Sequence, residues 1–114
     1  MSATNFYLEH GYTPVVKTAS FAGAGTITVW TPRTSTRIVV TDFVVAATLA
    51  GSTAFYFGNL AGTKIVEFRH AGSATVAVSL LADSGTYDRT LVANSVNPGT
   101  DGVKVTVAGF EIAQ

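Results

Sequence analysis

Apolar and polar residues alternate along much of this chain in short runs, and glycine, serine, asparagine or proline interrupts each run. A period of two places successive side chains on opposite faces of an extended segment, which is the signature of β-strands. No window of a dozen residues holds an apolar stripe at helical spacing. Eight strands are expected, over residues 13–20, 26–30, 37–48, 54–58, 64–70, 74–81, 90–93 and 103–112. The third is long enough to bend or to change sheets. Turn chemistry separates the strands at Gly23-Ala24-Gly25, Pro32 to Ser35, Ala50-Gly51-Ser52, Ala61-Gly62, Ala71-Gly72-Ser73, Asp83-Ser84-Gly85 and Asn97-Pro98-Gly99. Each offers a residue that starts a turn or tolerates a positive φ. Many short strands at this spacing predict an all-β antiparallel sandwich or barrel.

Three segments depart from simple alternation. In the last strand Val103, Val105 and Val107 share a face, and the apolar positions then shift by one to Phe110 and Ile112. A β-bulge at Ala108-Gly109 would keep both sets facing the core. Residues 43–47 (Phe-Val-Val-Ala-Ala) and 55–57 (Phe-Tyr-Phe) are apolar on both faces, so a cover is expected on their outer side. A loop, the N-terminal arm or another copy of the chain would serve. The arm, residues 1–12, shows no strand pattern and carries Phe6, Tyr7, Leu8 and Tyr12. Residues 13–114 read as one sandwich domain, without repeat or linker. The expected contact residues are Phe6, Tyr7, Leu8, Phe43, Val45, Phe55, Tyr56 and Phe57.

Composition sharpens the picture. Charged residues make up only 12% of the 114, and apolar residues 47%, against roughly 25% charged in an ordinary domain. Seven basic and seven acidic residues balance to zero, so a nucleic-acid partner, which calls for a basic surplus, is not expected. Few ionic groups and no net charge favour association over dispersal. No cysteine is present, which removes a disulfide framework, a thiolate zinc site and a cysteine nucleophile. The opening Met1-Ser2-Ala3-Thr4-Asn5 has neither the basic nor the apolar region of a secretory signal. The least polar stretch, residues 43–57, is too short and too interrupted to span a bilayer, so no membrane partner is expected.

Candidate chemistry is sparse. His10 and His70 stand in unrelated contexts with no metal-ligand spacing. There is no Gly-x-Ser-x-Gly elbow and no phosphate-cradling loop. Asp83, Asp88 and Asp101 fall in or near loops, where carboxylates serve calcium or, more commonly, the turns themselves. Glu9, Glu67 and Glu111 are not paired with an aspartate as glycoside hydrolysis requires. Asp42 and Glu67 are expected to face solvent or to pair with Arg37 or Arg69. Trp30, Tyr56, Phe57 and Tyr87 are the rings from which a sugar-stacking platform would be built, but Trp30 ends an alternating strand and reads as core or interface. No catalytic residue, cofactor or metal site is assigned, and the chain reads as non-enzymatic.

The stretch Trp30-Thr31-Pro32-Arg33-Thr34-Ser35-Thr36-Arg37-Ile38-Val39-Val40-Thr41-Asp42-Phe43-Val44-Val45 resembles a small jelly-roll family of tailed-phage virions. A glycine-containing turn at Leu49-Ala50-Gly51-Ser52, the strand Phe55-Tyr56-Phe57 and the closing Val107-Ala108-Gly109-Phe110-Glu111-Ile112 are similar to that family's pattern. The likeness runs from Trp30 to the C-terminus; residues 1–29 do not take part. It implies a jelly roll of the capsid decoration (cement) or head-fibre type, often trimeric. Such a protein is assembled in the host cytoplasm and binds a major capsid or tail protein in the virion. The alternative, from the aromatic residues, is a carbohydrate- or receptor-binding sandwich module.

Overall fold

The computed structural model describes residues 10–21, 25–48, 50–59, 62, 64–96 and 103–113. Among these residues eight strands form: β1 (Pro14–Phe21), β2 (Gly25–Trp30), β3 (Thr36–Ala47), β4 (Ala50–Phe57), β5 (Lys64–Ala71), β6 (Ala74–Asp83), β7 (Leu91–Val96) and β8 (Val103–Ala113). They pair antiparallel into two four-stranded sheets, β1-β8-β3-β6 and β2-β7-β4-β5. Successive strands pass back and forth between the layers except at β4 and β5, which form a hairpin in one sheet, and the last strands return beside the first. This is the double Greek key of a jelly roll.

Alternation explains the layering. Phe43, Val45 and Ala47 of β3 and Val103, Val105 and Val107 of β8 point inward from one sheet. Phe55, Phe68, Leu91 and Ala93 meet them from the other. The Phe55 ring lies 5.0 Å from Phe43 and 6.0 Å from Phe68, tilted on the first and edge-on to the second. Such pairings add to the burial of the rings themselves. The long third strand stays within one sheet.

The irregularity expected at Ala108-Gly109 lies instead across the ladder. β8 runs in continuous register against β1, from Pro14↔Phe110 to Phe21↔Val103. The slip is in β3, where Val40 pairs with Gly109 and Asp42 with Ala108, leaving Thr41 as the extra residue. Its hydroxyl donates within reach of the Ala108 carbonyl, at 3.3 Å, and of Asp42 Oδ2, at 2.9 Å. The extra residue lets Ile38 and Val40 share the core face with Phe43 and Val45. Because β8 keeps its alternation, Phe110 and Ile112 point away from the valines. With Val39, the partner of Phe110, they are buried on the outer face of the sheet.

Strand ends also differ from expectation. β4 begins at Ala50, so Gly51 and Ser52, expected as turn, are paired strand residues facing His70 and Arg69 of β5. β7 extends to Val96 against Ser52. Pairing with β5, joined by β7 from Ser52 onward, holds this polar stretch extended where local composition favours a turn. The turns at Gly23-Ala24 and Asn97-Pro98-Gly99, and Ala61, lie outside the described residues.

Candidate functional site

Three groups of polar side chains stand out, and each is engaged within the fold. At one end of the sandwich, Trp30 Nε1 donates to Glu111 Oε2 at 2.9 Å. Arg33 donates to the same carboxylate through Nε, at 2.8 Å to Oε1, and through its backbone N–H, at 3.3 Å to Oε2. Glu111 retains 8% of its side-chain exposure, while Arg33 is 74% exposed. Burial works against the ionised form, but the hydrogen bonds from Trp30 and Arg33 outweigh it and hold the carboxyl below its ordinary pKa. The carboxylate thereby caps the indole of a core tryptophan, and both its oxygens are occupied. A group whose pKa is depressed by folding adds stability above its unfolded value, about 4.3 for glutamate, and loses it as pH falls through the folded value. Glu111→Gln should therefore lower the urea midpoint at pH 7, and the gap to the parent should narrow as the pH is taken below 4.

The second group lies on the inner face of the β2-β7-β4-β5 sheet. The Thr53 hydroxyl is 3.3 Å from His70 Nε2 and 3.1 Å from Ser95 Oγ, which donates to the Ser52 carbonyl at 3.2 Å. All three side chains are buried. A serine and a histidine thus share one cluster, but Thr53 stands between them. Neither hydroxyl is presented to a substrate, so the arrangement serves packing.

The third group fastens the loop of residues 84–90 to the start of β3. Arg37 Nε bridges both oxygens of Asp83 at 3.2 and 3.3 Å, and its Nη1 lies 3.4 Å from the Tyr87 hydroxyl. Asp88, at φ 63°, accepts from the Ser35 N–H at 2.7 Å. Asp83 also accepts from the Gly85 N–H at 2.8 Å. The loop aspartates Asp83 and Asp88 act as turn and ion-pair residues, and Asp101 lies outside the described residues. No cluster of three or more His, Cys, Asp or Glu poised for a metal occurs among the described residues. Glu67 pairs with Lys64 and, at 3.6 Å, with Arg69 as expected. Asp42 instead accepts from Thr41 and Ser79.

A groove of about 470 Å³ opens between the sheets beside Phe57, Lys64, Ile65, Asp83 and Arg89. Its Asp83 and Lys64 are committed to Arg37 and Glu67. Trp30 is fully buried, so it offers no ring to a ligand. Tyr56 and Tyr87 are each half-buried, on β4 and on the loop beside Arg37.

The expected contact residues divide. Phe43, Val45 and Phe55 fill the interior between the sheets, where no second molecule reaches them. Tyr56 is half-buried, and Phe57 packs partly against the core. Phe6, Tyr7 and Leu8 lie outside the described residues. Among the described residues the large apolar side chains that remain open are others: Val16 at 65% exposure, Leu81 at 54%, Leu80 at 38% and Val78 at 37%. Three of the four sit on β6, whose place at a sheet edge depends on topology and is not visible in local pattern.

No family model and no curated protein matches the sequence. Solved structures do. The chain is similar to a subunit of Bacillus endospore appendages, described as disulfide-linked pili, with a TM-score of 0.53, 14% identity, and 90% of this chain and 91% of that one covered. It is also similar to a chain of the Cowpea mosaic virus empty virus-like particle, with a TM-score of 0.52, 12% identity, and 87% and 79% covered. A chain from the naturally occurring empty particles of the same virus gives 0.51, 9%, 87% and 82%. The likeness is one of fold. Jelly rolls host unrelated functions, and function is argued from surfaces and sites rather than from architecture.

Proposed function

We propose that this chain is a non-enzymatic building block of a virion, of the capsid decoration or cement type, that self-associates and binds a major capsid or tail protein. The observation that carries the proposal is the β6 edge of the β1-β8-β3-β6 sheet, where Val78, Leu80 and Leu81 stay open in a chain with only 12% charged residues. Apolar side chains gathered at one edge mark a contact surface. Among the described residues, the three polar clusters are engaged in capping Trp30, in bridging Thr53 to Ser95, and in fixing the loop after β6. The phage assignment rests on the sequence resemblance from Trp30 onward. A pilus and a virus-like particle among the similar structures agree with an assembling role.

Light scattering on the purified full chain, together with a glycan array, tests the reading. A concentration-dependent oligomer without glycan binding supports it. A monomer at 100 μM or so that binds glycans would favour the carbohydrate- or receptor-binding module instead. The aromatic arm belongs to the same proposal: Phe6→Ser with Tyr7→Ser should leave the thermal midpoint in place and weaken docking on the virion surface. Unchanged docking would remove the arm from the contact.

A further inference from the structure

The two sheets expose four edge strands, and three of them are guarded. β1 begins with Pro14 and carries Lys17 at its centre. β5 carries Lys64, Glu67 and Arg69. β2 is six residues long and broken by a register shift between Thr28 and Trp30. Proline, lysine, shortness and bulges are the usual means of keeping a free edge from pairing with another chain. β6 has one of these, a register shift that sets Leu80 and Leu81 opposite the single residue Thr41 of β3, and it lacks the rest. Its ten residues, Ala-Thr-Val-Ala-Val-Ser-Leu-Leu-Ala-Asp, hold no proline and a single charge at the end, and that charge is bound to Arg37. Ala74, Thr75, Ala77, Val78, Ser79, Leu80 and Leu81 are all exposed.

We infer that β6 is an interaction surface for a second copy of this chain, joined edge to edge and antiparallel about a two-fold axis near Val78 and Ser79. The inference rests on the self-association reading and names its contact. The occupant is argued from self-complementarity. An axis perpendicular to the sheet keeps like faces together, so each residue meets one of the same parity. With the axis at Ser79, Val78 faces Leu80 of the second copy, Ala77 faces Leu81, Val76 faces Ala82, and Thr75 faces Asp83. No charge meets a like charge. Moving the axis to Val78 sets Val76 against Leu80 and Ala77 against Ser79, again without a clash. Each pairing covers the three large apolar side chains that β6 leaves open, and it gives partners to the outer N–H and C=O groups of β6, which no other described strand pairs. The mixed charges of β5, in the layer behind, make that strand a poor extension, so one sheet continues across the axis and the other does not. The contact is a two-fold one, and a trimer would need a different surface.

The double variant Ala77→Lys with Leu81→Lys tests this on the full chain. Both positions are exposed, so the fold is retained, and in the Ser79-centred register each new lysine faces another. Sedimentation should show the parent dimerising and the variant's dissociation constant raised at least about tenfold. Val16→Lys, on the β1 edge, should leave the constant within about twofold, since that edge is already guarded. Hydrogen exchange of the parent gives a second readout that needs no substitution: protection across residues 74–83 should rise with protein concentration. An oligomer indifferent to the β6 lysines, without added protection in β6, would overturn this contact and leave the building-block reading standing. A parent that stays monomeric at all concentrations would overturn both.

Discussion

Gly109→Ala is expected to destabilise the protein by about 3 kcal/mol, near the upper end of what overpacking costs. A Cβ at this position would stand 2.1 Å from the Val39 carbonyl oxygen and 2.9 Å from Val40 Cα. Both obstacles are backbone, so no side chain can turn aside. β3 and β8 would have to part at the point where Thr41 is inserted. The requirement is therefore for room, created by the bulge on the neighbouring strand. Urea denaturation followed by tryptophan fluorescence measures the loss, and the thermal midpoint should fall by about 12 °C or more. A variant within about 0.5 kcal/mol of the parent would show that the strands do not approach this closely.

Phe55→Ala should cost about 3–5 kcal/mol, the range for truncating a buried aromatic. Phe55 is fully buried and joins Phe43 of one sheet to Phe68 of its own. The cavity would open between the layers, lined by side chains from both, which limits how far either can collapse into it. Phe55→Leu should recover more than half of the loss. The adjacent Tyr56 points to the outer face and is half-buried, so Tyr56→Ala should cost clearly less. The comparison tests the assignment of faces as well as the size of the core. Equal losses at the two positions would mean that the ladder is one residue out of step.

Much of this fold is legible in the sequence because its signals are local. Val103, Val105 and Val107 state their face by alternation alone, and Gly72-Ser73 and Gly85 punctuate the strands around them. The bulge shows how such reading fails. The shift from Val107 to Phe110 suggested an irregularity within β8, but the extra residue belongs to β3. There Val39 and Val44 are apolar too, and they hide the change of parity from Ile38 and Val40 to Phe43 and Val45. The start of β4 was obscured in a different way. Gly51 and Ser52 have turn chemistry, and they are extended because β5 pairs with both and β7 pairs with Ser52 from the other side. Phe43, Val45 and Phe55 read as contacts from their doubly apolar neighbourhoods, yet a strand flanked on both sides buries such residues within the molecule. The bare edge of β6 could be read as a run without charge. That it is an edge is a property of strand order, which no single segment encodes.

Strand order has a consequence for how the molecule is made. β8 comes last of the eight strands in the chain, yet it lies between β1 and β3 at the centre of its sheet. While a ribosome is still producing the later residues, β1 has no neighbour in its layer and β3 is open along one side. The chain must hold these half-built sides out of reach of other nascent copies until the final segment arrives and slots between them. Folding of this kind is slow and most exposed to misassembly just before completion.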